Sequence, residues 1–199
     1  MKNVCQVALK EWAVVVRALG EGQQLLLFRK GGIREKGRDF KVEEREFFLY
    51  PTYEHQHAEG LREEFRPWLE GLPAKTPEAL SIEYYATVES ILQVSSPEVL
   101  RLLTAYHIYS EKQILERFRY KPTKPLYVLL LRIFRIPTIR LPNLPTYAGC
   151  RSWVPLEGPL STANATPVLA DHLFRDRVEA ILKVLPRGVE TPGVRRRDG

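Results

Sequence analysis

With 199 residues, 44% of them apolar and 27% charged, the chain has the make-up of a globular domain and the length to bury a sizeable core. No apolar run approaches the roughly 18 residues of a membrane helix, no leader with a small-residue cleavage site is visible, and Cys5 and Cys150 form no CxxC pair, so the expectation is a cytoplasmic protein with buried thiols. The net charge of +6 is uneven: residues 106–155 hold nine basic side chains against two acidic ones, whereas residues 1–70 carry twelve of each.

Val4 to Leu19 has apolar residues at helical spacing, closed by Gly20 and Gly22, which predicts a helix; Trp12-Ala13-Val14-Val15-Val16 within it also reads as strand. Gln24 to Arg29 is a strand stopped by Gly31-Gly32, and Glu46 to Tyr50 is a second, stopped by Pro51. From Tyr53 to Leu69 the positions Leu61, Phe65, Trp68 and Leu69 follow helical spacing. Ser81 to Val94 alternates as a long half-buried strand, with Ile82, Tyr84, Ala86, Val88, Leu92 and Val94 on one face. Pro97 opens a helix to about Ala105, and Ser110 caps another ending near Arg119.

Leu126 to Ile136 is the strongest strand, apolar on both faces until Arg132 and Arg135, and Pro137, Pro142 and Pro145 then predict an irregular surface segment. A turn from Tyr147 leads into a last strand around Leu156, and Pro167 to Leu185 is an amphipathic helix. Residues 188–199, with Arg195-Arg196-Arg197, read as a disordered basic tail. Strands and helices do not alternate regularly. The fold class is therefore α+β, one domain over residues 1–187 with a mixed, largely antiparallel sheet flanked by helices.

Arg29-Lys30-Gly31-Gly32 sets two cations beside two side-chain-free units at a strand end, where exposed N–H groups bind oxyanions. It matches neither the Walker phosphate loop nor GxGxxG, and it also reads as a plain turn. Glu54-His55-Gln56-His57 follows a strand; in an extended chain its imidazoles and carboxylate fit a metal, and Glu54 with His55 also fits acid–base work or simple capping. Glu11 and Glu35 are further carboxylates for such a site. No Glu-x-Lys occurs, the one Asp-x-Lys (Asp39-Phe40-Lys41) is too short a match to mark a nuclease, and no Gly-x-Ser-x-Gly elbow is present.

Arg132 and Arg135 sit in an apolar strand, where an arginine needs either a partner, Glu83 or Glu89, or a groove that takes phosphate. Phe118, Tyr120, Tyr147 and Trp153 lie among the cations of 106–155, the mixture that single-stranded or flipped bases favour, although Trp153 also reads as core.

Four segments carry a family resemblance: Leu9-Lys10-Glu11-Trp12; Arg29-Lys30-Gly31-Gly32-Ile33 with Glu35; Leu49-Tyr50-Pro51-Thr52 with Glu54-His55-Gln56; and Gly149-Cys150-Arg151-Ser152-Trp153. Together they resemble the bacterial domain-of-unknown-function family numbered 1802, over about residues 5–185. The resemblance implies no established activity. It does imply association with Mrr-type restriction endonuclease domains, hence a restriction-type nuclease as partner and a place in DNA-directed defence. A second likeness, to ASCH/PUA-type barrels that read nucleic acids or modified bases, concerns the fold. It rests on a helix containing Trp12, the Gly20-Glu21-Gly22-Gln23 turn and a strand ending in Arg29.

These residues favour a nucleic-acid-interacting module without catalysis or cofactor of its own. Arg29, Lys30, Arg34, Arg132, Arg135 and Arg151 would contact phosphates and Tyr50 or Trp153 a base, all meeting in one positively lined hollow. The alternative is a metal-dependent phosphodiesterase, nuclease or other hydrolase built on Glu11, Glu35, Glu54 and His55 around a divalent ion. A protein-interaction domain is the third reading.

Overall fold

Strand pairing overrides local helical spacing at the start of the chain. A computed structural model describes residues 2–30, 34–36, 39–41, 44–147, 152–186 and 189, with backbone alone for 34–36 and 39–41. In it Val4–Trp12 is strand β1, and helix α1 is confined to Ala13–Gly20. The single helix expected over Val4 to Leu19 is thus corrected. Its first half lies between two neighbouring strands, and burial there outweighs a weak 3.6-residue spacing.

After α1 come β2 (Leu26–Arg29), the hairpin of β3 (Arg34–Lys36) and β4 (Asp39–Lys41), and β5 (Glu46–Thr52). The helix expected from Tyr53 to Leu69 is instead a pair of 3-10 segments, Ala58–Gly60 and Glu63–Leu69. Pro67 inside the second denies the chain an α-helical hydrogen bond. Strand β6 (Ala79–Val94) and helix α2 (Pro97–Leu102) follow, then a 3-10 turn at Thr104–Tyr106. Helix α3 (Glu111–Arg119) starts where expected, the Ser110 hydroxyl accepting from the Gln113 N–H. The remaining elements are β7 (Leu126–Pro142), β8 (Trp153–Ser161), β9 (Thr166–Pro167) and α4 (Asp171–Lys183).

The prolines after Ile136 do not end the strand. On β6, Ile82 and Tyr84 are two residues apart, yet their partners Ile139 and Arg135 on β7 are four apart. The surplus residues form a bulge around Pro137, which lets a residue without an N–H sit in the strand. The same irregularity divides the β6 face expected to be continuous. Ile82 packs in one core with Tyr85, while Tyr84, Ala86, Val88, Leu92 and Val94 pack in another.

Among the described residues seven strands form one sheet in the order β2-β7-β6-β5-β1-β8, with β9 added to β7. The β1–β5 pair is parallel and the other pairs are antiparallel, so the α+β class with a mixed, mostly antiparallel sheet is observed. Both faces of the central strands are covered. Leu9, Phe47 and Leu49 enter the larger core with the helices, while Ala8, Phe48 and Tyr50 enter the smaller one with Leu156 and Tyr147. The sheet is also rolled. Three strands separate β2 from β1 along its path, yet Nη2 of Arg29 at the end of β2 donates to the Lys10 carbonyl of β1 at 2.9 Å.

Candidate functional site

Where β1 and β2 approach, a charged cluster is shut inside the fold. Glu11, 5% exposed, accepts on Oε1 from the Trp12 N–H at 3.0 Å. Its Oε2 lies 3.0 Å from Arg29 and 3.9 Å from Arg117 of α3. Tyr109 is fully buried beside them, with the Arg117 guanidinium 5.1 Å from its ring centroid. Burial pushes the Tyr109 phenol up, helped by the Glu11 charge. Burial also lowers Arg29, against the pull of Glu11. In Arg117 the same desolvation is outweighed by Tyr109 and Glu11, so its guanidinium is raised. One carboxylate thus balances two cations that would otherwise be uncompensated in the interior.

The Glu11 cluster also fixes the lie of α3. Arg117 Nη1 donates to the Phe28 carbonyl at 3.0 Å, and Lys30 Nζ donates to the carbonyl of Phe118 while lying 4.9 Å from its ring centroid. Ile114, Arg117 and Phe118 share one helix face by their spacing, which turns that face toward β2 and leaves Arg119 and Tyr120 in solvent. Beyond the helix, Lys121 takes a positive φ of 48°, and the Lys124 N–H returns to the Lys121 carbonyl at 2.9 Å. A hollow of about 450 Å³ opens between this turn, the start of β7 and the ends of β2 and β6. Lys30, Arg119 and Lys124 line it together with Phe118, and no carboxylate is among its described lining residues.

Of the phosphate-contact candidates, Lys30 therefore stands at a basic hollow and Arg29 is turned inward onto Glu11. Arg132 and Arg135 lie elsewhere. Arg29 pairs across from Tyr127, five residues short of Arg132 on β7, a separation of roughly 17 Å at the rise of a strand. The single hollow expected to gather all of them is not formed; its smaller counterpart joins Lys30 to Arg119 and Lys124. Arg132 pairs with Asp171 of α4 at 2.5 Å, not with Glu83 or Glu89, because α4 is the element laid over that stretch of β7, its Phe174 ring 4.4 Å from the guanidinium. Arg135 is exposed and stacks on Tyr84 at 5.1 Å.

Tyr50, a base-contact candidate, is buried in the smaller core with its hydroxyl donating to Asn143 at 2.8 Å, and burial pushes its phenol up to about 12. Trp153 is half-buried and packs edge-on against Phe47 at 5.0 Å. Arg34 and Glu35 belong to β3, where the backbone alone is described, and Gly31, Gly32, Ile33, Cys150 and Arg151 lie outside the described residues. So does the 188–199 tail except Val189, which is buried against the larger core with its carbonyl accepting from the Gln93 N–H at 3.1 Å and so is not disordered. Cys5 is a buried free thiol.

Among the described candidates, Glu11 does not converge with Glu54 and His55 on a metal-holding group. Glu11 is buried, while Glu54 and His55 are exposed on a turn in which His55 has a φ of 64°. That left-handed residue breaks the extended course that would place His55 and His57 on one side. His57 packs edge-on against Trp12 at 5.3 Å, and Gln56 accepts from the Val14 N–H at the first turn of α1. Among the described residues no three metal-ligating side chains are grouped to hold an ion.

In the sequence Arg117, Arg119 and Lys124 stand out only as members of the cationic block; the Ile114–Arg117–Phe118 spacing is the one signal that separates the inward guanidinium from its neighbours. Nothing in the sequence marks Tyr109.

Residues 8–180 match the family described as Domain of unknown function (DUF1802). No curated protein matches the chain. Among solved structures the chain is similar to a crystal structure of ASCH from Zymomonas mobilis, at 12% identity over 90% of this chain and 95% of that one, with a TM-score of 0.41. It is likewise similar to two single-residue mutants of the Zymomonas mobilis protein. One is 16% identical over 90% of this chain and 98% of that one, the other 13% identical over 87% and 96%, both at a TM-score of 0.39.

Proposed function

The chain belongs to the DUF1802 family, and within that family of unknown function we propose that it is a nucleic-acid-interacting module whose contact surface is the hollow between β2, α3 and β7. The observation that carries this reading is the lining itself. Lys30, Arg119 and Lys124 converge on one recess of about 450 Å³ without a carboxylate among its described lining residues. Arg119 and Lys124 are exposed and make no ion pair with any described residue. Cations held close together without counter-charges attract phosphates, and displacing condensed counterions supplies the free energy. Prolines at 122 and 125 hold the turn in place, so little ordering entropy opposes contact.

The recess binds and does not cleave in this reading, because its described walls offer neither a general base nor metal ligands. Cleavage belongs to a separate restriction-type nuclease, the partner that the family resemblance implies. No described helix is long and apolar enough to cross a membrane.

The test is binding of labelled RNA and DNA oligonucleotides by the full chain across a salt series. Contacts from three cations give a slope of log K against log salt of roughly −2 to −3. The double charge reversal Arg119→Glu with Lys124→Glu flattens that slope and lowers affinity on the order of 100-fold at low salt. Equal binding by the wild type and the double variant, or no binding by either, removes the hollow as a nucleic-acid surface.

A further inference from the structure

We infer that the nucleic acid taken by this hollow is single-stranded, with one base stacked on Tyr120; the inference rests on the nucleic-acid reading of the recess. Tyr120 is 58% exposed, the most exposed of the large hydrophobic side chains among the described residues, whereas Phe118, two residues earlier, is half-buried with the Lys30 ammonium over its ring. Folding leaves a large aromatic ring in solvent only where packing does not claim it. It stands in the chain between residues that line the hollow, Arg119 before it and Pro122 after it: Tyr120 is the residue that ends α3, with extended torsions of φ −62° and ψ 127°, and its N–H still donates to the Glu116 carbonyl at 2.9 Å.

The phenol ring stands between Arg119 on one side in sequence and the Lys121–Lys124 turn on the other. The Lys121 ammonium lies 4.9 Å from its centroid, and the residue as a whole stays exposed. A base stacked on this ring would have Arg119 and Lys124, which line the hollow and flank Tyr120 in the chain, to meet its phosphates.

Shape separates a single strand from a duplex. Proteins read double-stranded DNA by inserting a helix or ribbon into a groove about 12 Å wide, which requires a protruding element. The cations here line a recess of about 450 Å³, a volume within the small-ligand range of roughly 300–1,000 Å³. Such a recess admits a nucleotide or two whose bases are splayed from the strand, whereas a duplex, its bases stacked, reaches it with backbone phosphates alone. Ribose and deoxyribose strands share this chemistry, so both are arms of the test.

Single-stranded RNA, single-stranded DNA and duplexes of the same length are titrated against the full chain and the variants Tyr120→Ala, Tyr120→Phe and Arg119→Glu. Tyr120→Ala is expected to weaken single-strand binding about tenfold while Tyr120→Phe keeps it, because the ring face, not the hydroxyl, carries the contact. Any residual duplex binding stays unchanged in Tyr120→Ala and falls in Arg119→Glu. Tighter binding of duplex than of single strand overturns the inference, as does a Tyr120→Ala variant that binds single strands like the wild type; the basic hollow then stands without its stacking platform. An Arg119→Glu variant with undiminished binding of every oligonucleotide overturns the hollow and the inference together.

Discussion

Glu11 and Arg29 touch at 3.0 Å although three strands lie between β1 and β2 in the sheet. The contact is local to neither element, since each residue sits at the end of its strand and the sheet must roll to bring them together. Arg117 of α3 completes the cluster 3.9 Å from the same carboxylate oxygen. Through it the buried charge reaches the helix that forms one wall of the basic hollow.

Glu11→Gln removes the only carboxylate facing Arg29 and Arg117 among the described residues and leaves both guanidinium groups in the interior. A loss of roughly 3 kcal/mol is expected, or about 6–12 °C in melting temperature for a chain of this size. Adding Arg29→Met should recover part of it, because one uncompensated charge then leaves with its partner. Calorimetry of the two variants decides. Melting of Glu11→Gln within a degree of the wild type means the carboxylate is not balancing these cations.

His107 is 2% exposed, and neither ring nitrogen has a hydrogen-bond partner among the described residues. Phe28 meets it edge-on at 5.0 Å, and burial, with the Arg62 charge second, pushes the imidazole down to about 3 from 6.5. Below 6.5 the unfolded chain gains a proton that the folded chain refuses. The stability held by the neutral ring is therefore complete above pH 6.5 and is lost as pH falls toward 3, by about 1.4 kcal/mol per unit. His107→Phe should lose less stability than the wild type between pH 6.5 and 4 in urea unfolding. Parallel losses in the two proteins would show that the folded imidazole titrates normally.

Gly20 closes α1 directly under a ring: a Cβ there would lie 2.1 Å from Cζ of Tyr84. Gly20→Ala gains up to about 1 kcal/mol of helix propensity, but the ring has to move, and Arg135 stacks on it from outside. A net destabilisation of about 1–3 kcal/mol is expected by denaturant unfolding. A more stable Gly20→Ala protein would mean that Tyr84 yields freely.

The parts of this fold written into the sequence are those governed by neighbours in the chain. Ser110 caps α3, Pro97 opens α2, and the apolar runs of β2, β5, β6 and β7 are legible because side-chain period and turn chemistry act over a few residues. The start of the chain is illegible for the opposite reason: Val4 to Trp12 satisfies a weak helical spacing, and only its pairing with β5 and β8 makes it strand. Pro137 looks like a strand end in the sequence, which does not show that a bulge will absorb it.

The candidate site divides along the same line. That residues 106–155 are cationic follows from composition, and Lys30 as one contributor follows from its place at a strand end. Which cations remain available was decided by tertiary structure. Arg29 and Arg117 turn inward to share Glu11, Arg132 is taken by Asp171, and Arg119 and Lys124 are left facing the hollow. Charge is a property of each residue and can be counted along the chain. Whether a charge is neutralised depends on what lies within about 4 Å of it, and that distance exists only once the sheet has rolled.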